Sequence, residues 1–151
     1  LQYSIAIYKL SKNSKTNKNS MDKKKCIIDK YNTVYGFNLF VILNPDRSVV
    51  DKRFSFRDDP SSIIDDEWAQ YTAYTVRGAY DLSNNEDCEI IVINKLNNTG
   101  EDVNTFAHES FHAAVDILEA CHIKLTDDTN EVFAYLIGYF TECVNKTVSK
   151  Q

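Results

Sequence analysis

At 151 residues, 43% hydrophobic and 26% charged, the chain has the length of one domain with a modest core. A formal net charge of -5 argues against nucleic acid as the main partner, and no apolar run approaches the length of a membrane span. Cys26, Cys88, Cys121 and Cys143 are scattered without C-x-x-C pairing and no signal peptide is visible, so reduced thiols in a cytoplasmic protein are expected rather than disulfides or a cysteine zinc site.

In chain order, Leu1 to Leu10 alternates apolar and polar residues (Tyr3, Ile5, Ile7), which predicts a strand. Ser11 to Ser20 is Lys, Asn and Ser with almost nothing to bury, which predicts a mobile linker. Met21 is the sole methionine, and Met-Asp-Lys-Lys-Lys reads as a natural start, so residues 1–20 are expected to be a flexible or non-native extension and residues 21–151 one domain. The lysines between Lys9 and Lys25 lack interleaved aromatics, which fits a solvated segment better than a nucleic-acid tail.

Asp22 to Tyr31 is predicted to be a short helix. Gly36 opens a strand, Phe37 to Leu43, that ends at the turn signal Asn44-Pro45-Asp46-Arg47, and Ser48 to Phe56 is predicted to return beside it as a hairpin. After a break at Asp58 to Ser62, Asp65 to Gln70 reads as a helical turn with Trp68 as a core or lid anchor. Tyr74 to Tyr80 and Cys88 to Asn94 are predicted strands, joined by a loop over Asp81 to Glu86 that is too long for a two-residue turn.

Thr105 to Glu119, TFAHESFHAAVDILE, carries the chemistry. Residues advance about 100° each round a helix, so Thr105, His108, Glu109, His112, Asp116 and Glu119 fall within one arc of roughly 100°, and the rest of the circumference is largely apolar. Such a helix is buried apart from one polar stripe, and that stripe must face a cleft. Gly100 breaks the chain upstream and Asp102 is the expected N-cap. His108 and His112, one turn apart in H-E-x-x-H, can reach one metal ion, with Glu109 placed to take a proton from a water on it. A zinc site open for catalysis needs a third protein ligand. His122 leaves the stripe by about 280°, Asp116 is better suited to orienting an imidazole, and Glu131 opens a second helix predicted over Asp128 to Val148. Glu131 is also a natural first-turn or capping-box acid. Gly138, unfavourable inside a helix, is expected to let the two helices approach closely.

His112 and Glu131 have eighteen residues between them, and with the run Asn130-Glu131-Val132-Phe133-Ala134 the pattern resembles the gluzincin metallopeptidases, in particular H-E-x-x-H…N-E-x-F-A of the aminopeptidase branch. The resemblance implies an α+β, zincin-like fold, with a small mixed or antiparallel sheet packed against the H-E-x-x-H helix and a following C-terminal helix. It also implies one Zn2+ held by His108, His112 and Glu131, with Glu109 as general base in hydrolysis of a peptide or protein substrate. Gly78-Ala79-Tyr80 is similar to the family's substrate-binding edge strand, against the plainer reading of a bulge at Gly78. The chain departs from thermolysin-like members at Tyr135, where they carry Asp. The oxyanion donor of larger members has no counterpart, leaving Tyr135, Tyr139 and His122 as local candidates. The size resembles short zincins of phages and prophages, and ImmA-type proteases share the H-E-x-x-H with a downstream Glu-rich helix. The competing expectations are such a regulatory protease acting on one protein, and a non-catalytic zinc-binding interaction domain. The sequence sets no oligomeric state.

Overall fold

The computed structural model describes residues 24–151, so the expectations for Leu1 to Leu10 and Ser11 to Ser20 lie outside the described residues. In chain order the elements are β1 (Ile27–Asn32), β2 (Asn38–Leu43), a one-turn α1 (Arg47–Val50), β3 (Phe54–Phe56), a 3-10 turn (Trp68–Gln70), β4 (Ala73–Asp81), β5 (Glu86–Ile93), α2 (Gly100–Ala120) and α3 (Asn130–Val148). The strands form one mixed sheet in the order β1-β2-β5-β4-β3. Only β2 and β5 pair in parallel. The architecture is therefore α+β. Among the described residues, no helix is long and apolar enough to cross a membrane.

The period of two sorts the two central strands between two cores. Leu39, Val41 and Leu43 of β2, with Ile91 and Ile93 of β5, face α2 and α3 and pack with Phe106, Ala113, Ala114, Ile117, Phe133 and Phe140. Phe40, Ile42, Ile90 and Val92 face the other way, onto Val50, Phe54, Ile63 and Ile64. Because β2 and β5 are buried on both faces, they read as continuous apolar runs rather than alternating ones. Trp68 anchors this second layer, with its ring 4.9 Å from that of Tyr74.

Two segments differ from expectation. Of the predicted helix at Asp22 to Tyr31, whose first two residues lie outside the described ones, Ile27 to Tyr31 instead belong to β1, paired with β2 along its whole length from Ile27↔Leu43 to Asn32↔Asn38. Pairing with a buried strand outweighs a weak local helix preference. The predicted hairpin of Ser48 to Phe56 does not form, since β1 and β5 occupy both edges of β2. Asp46 acts as an N-cap, its Oδ1 accepting from Ser48 N at 3.0 Å, and the chain turns into α1. Only Phe54–Phe56 becomes a strand, and it pairs with Ala79 to Asp81 of β4.

The site helix is longer than predicted at its start. Thr99, not Asp102, is its N-cap, accepting from Glu101 N. Asp102 lies inside the first turn, where its carboxylate accepts from the Asn97 and Asn98 amides at 3.1 and 2.7 Å. At the other end the Ile123 N–H reaches the Leu118 carbonyl at 2.8 Å and the His122 N–H reaches that of Glu119 at 2.9 Å, a Schellman closure. His122 takes the left-handed position of that closure, with φ 61°.

Gly138 does not mediate close packing: a Cβ there would meet nothing within 4 Å. Gly78 is equally unhindered but has φ +71°, at the register break between Val76 and Ala79. The two glycines should therefore respond to alanine with opposite signs. Gly138→Ala is expected to stabilise by about 0.5–1 kcal/mol through helix propensity, and Gly78→Ala to destabilise by about 1–2 kcal/mol through left-handed backbone strain. The denaturant midpoints of the two variants check both.

Candidate metal centre

The site lies where α2 crosses β4. Glu109 projects toward the sheet and is 8% exposed, and its Oε2 accepts from the Thr75 hydroxyl at 2.8 Å. That hydroxyl also lies 3.0 Å from the Glu109 backbone carbonyl. Burial pushes the Glu109 carboxyl above its usual range, opposed by the Thr75 hydrogen bond and by the charges of His108 and His112. One turn of helix separates the histidines, and their Nε2 atoms face each other at 3.0 Å with the rings edge to face. Burial pulls His112 down, while the Glu109 charge pushes it up.

At 3.0 Å the two nitrogens are at hydrogen-bond distance, a little closer than the roughly 3.3 Å at which two imidazole nitrogens on a tetrahedral zinc at about 2.0–2.1 Å would stand. Neutral imidazoles offer the lone pairs that such an ion needs. Phe111, 41% exposed, lies against His112 with ring centres 5.8 Å apart, forming an apolar lip beside the pair.

The other residues singled out from sequence are placed differently. Asp29, Val41, Ile91 and Thr75 are register partners in one row across four strands. Glu109 sits over the Thr75 end, while Lys150, just past α3, grips Asp29 at the other end with its Nζ 2.7 Å from both carboxylate oxygens. Farther along β1, Thr147 bonds Tyr31 and Tyr139 bonds Asn32, so α3 runs antiparallel to β1 and to α2. Glu131 is exposed in the first turn of α3. Among the described residues, no group of three or more His, Cys, Asp or Glu is gathered to hold a metal. The structure joins His108, His112 and Glu109 on one face of α2 and carries Glu131 on the next helix.

Asp116 follows His112 by one turn but is engaged elsewhere: its Oδ1 is 3.1 Å from Arg77 Nη1, and its carboxylate bonds Glu89. Tyr139 donates its hydroxyl to the Asn32 carbonyl at 3.1 Å, and Tyr135 is 77% exposed on α3. Ala79 and Tyr80 are not at a sheet edge, because β5 pairs with them on one side and Phe56 and Ser55 of β3 on the other. Gly78 sits at the bulge. The stretch of β4 that β3 leaves uncovered is Ala73 to Val76, which contains Thr75 and adjoins Glu109.

Sequence reasoning missed Thr75, Arg77 and Glu89. Glu89 had a signal, since it is in phase with Ile91 and Ile93 and so had to face the helices. In comparisons with known proteins, no family model matches this chain, and no match was found among curated proteins or solved structures.

Thr75→Val removes the donor that lowers the Glu109 carboxyl toward its ordinary value. The folded variant then holds its proton to higher pH, so the lost stability should be greatest where Glu109 is ionised and shrink as the pH falls through its titration. A loss of about 1–3 kcal/mol is expected at neutral pH. Urea unfolding of both proteins at pH 4 and pH 7.5 measures it.

Proposed function

We propose that the protein is a zinc-dependent metallopeptidase in which His108 and His112 hold one Zn2+ and Glu109 is the general base. One observation carries this reading: two imidazole nitrogens converge at 3.0 Å one helical turn apart, beside a carboxylate buried in the same seam. A zinc ion in such a place supplies carbonyl polarisation and a lowered pKa for water. Glu109 supplies the proton acceptor. Thr75 fixes Oε2 and so the orientation of the carboxylate, while burial moves its pKa toward the range in which a general base works near neutral pH.

The substrate's place in this reading is the uncovered Ala73 to Val76 edge. Backbone groups there can pair with an extended peptide without reading its side chains, and Thr75 lies on that same stretch. The ligand set in this reading is His108 and His112 with Glu131 as the third ligand, as the gluzincin resemblance implies. A second reading is a zinc-binding domain that works by protein contact, since among the described residues the tyrosines offered as oxyanion donors are not placed at the histidines. The Tyr139 hydroxyl is spent on Asn32, and Tyr135 stands out in solvent on α3. A protease restricted to one partner protein, of the ImmA type, would fit the first reading with that donor brought by the partner.

Elemental analysis after equilibration with zinc is expected to give one ion per chain for the wild type and for Glu109→Gln, and none for His108→Ala with His112→Ala. Hydrolysis of an unfolded protein substrate should be lost in Glu109→Gln with zinc retained. Zinc retained with no hydrolysis by the wild type would select the second reading, and a chain that takes up no zinc would end both. Glu131→Ala is expected to weaken zinc binding markedly, and an undiminished affinity would remove Glu131 from the ligand set.

A further inference from the structure

The register break in β4 and the buried acid on β5 form one arrangement. Ala73 to Val76 pair with Ile93 to Ile90, but beyond the break Ala79 pairs with Cys88, so Arg77 and Gly78 together stand opposite Glu89. This is a bulge, with Gly78 in the left-handed region. Arg77 reaches from it to α2, with Nη1 3.1 Å from Asp116 and Nη2 3.2 Å from Glu119. Glu89 is 4% exposed on the helix-facing side of β5, its carboxyl is hydrogen-bonded to that of Asp116, and its Oε1 has no partner. A carboxyl and a carboxylate can share a hydrogen bond only if one of them carries a proton. Ionising both would place two like charges in contact away from water, with one guanidinium to answer them.

We propose that Glu89 and Asp116 share one proton and form a pH-dependent latch, with Arg77 as counter-charge, that seats the C-terminal half of α2 on the sheet. The charged groups facing Glu89 are Asp116 of α2 and Arg77 of β4, with Glu119 on the other nitrogen of Arg77. From β2, its register partner is the apolar Leu39. The latch does not rest on the peptidase reading, since neither metal nor substrate enters it.

Glu89 and Asp116 are both shifted upward, first by burial. The folded chain therefore holds a proton that the unfolded chain releases in the ordinary carboxylate range. The contribution is fully present below that range and is lost as pH rises through the pair's own titration.

The test uses the full chain without added metal. Carboxyl carbon NMR of wild type should show the Glu89 side chain titrating well above the ordinary carboxylate range. Urea unfolding from pH 5 to pH 8 should show the unfolding constant of wild type rising with pH relative to that of Glu89→Gln, by up to about tenfold per pH unit while the folded pair keeps its proton. Titration of Glu89 near its ordinary value of about 4.3 overturns the proposal, as do equal pH slopes for the two proteins. Should Glu89→Gln not fold, the wild-type NMR titration decides alone.

Discussion

The seam between α2 and the sheet must accommodate carboxyl groups where water is largely excluded, and the rest of the structure is arranged round that requirement. Apolar and small residues, Phe106, Ala113, Ala114 and Ile117, bring α2 down onto Ile91 and Ile93. On the β4 side the same helix presents Glu109 and Asp116, and β5 adds Glu89. Each is answered locally: Glu109 by the Thr75 hydroxyl, Asp116 by Arg77, and Glu89 by Asp116 itself. Unanswered, any one of them would cost several kcal/mol on burial, a large fraction of the net stability of a domain this size. The polar seam runs along β4, the strand that β3 covers at only one end. The buried carboxyls and the stretch of β4 that β3 leaves uncovered therefore lie together.

What was legible in the sequence follows from how far each signal reaches along the chain. The strands at β2, β4 and β5 and both long helices were visible from periodicity, because each buries a face set by its own residues. β1 was misread as a helix, since Ile27, Ile28 and Tyr31 suit either period and only the pairing with β2 decides. The false hairpin after Leu43 came from reading Asp46 as a turn residue when its carboxylate caps α1. In both cases the deciding partner lies elsewhere in the fold.

The same distinction separates the parts of the site. His108, Glu109 and His112 belong to one helix, so their spacing alone brings them together. Glu131 depends on where a second helix begins relative to the first. α2 continues for eight residues past His112 to Ala120, and Glu131 follows the first residue of α3. An eighteen-residue spacing therefore does not by itself fix where that carboxylate falls relative to the histidine turn. Thr75 and Arg77 come from a strand with no motif of its own, and only the fold shows them on α2.

The central claim is that the two imidazoles of α2 form a seat for a divalent ion. X-ray absorption at the zinc edge on the zinc-loaded chain tests it most directly, because it reports the number and kind of atoms round the metal. The account predicts two imidazoles per zinc, completed by oxygen. A first shell containing sulfur, or one without the outer-ring scattering of imidazole, would contradict it.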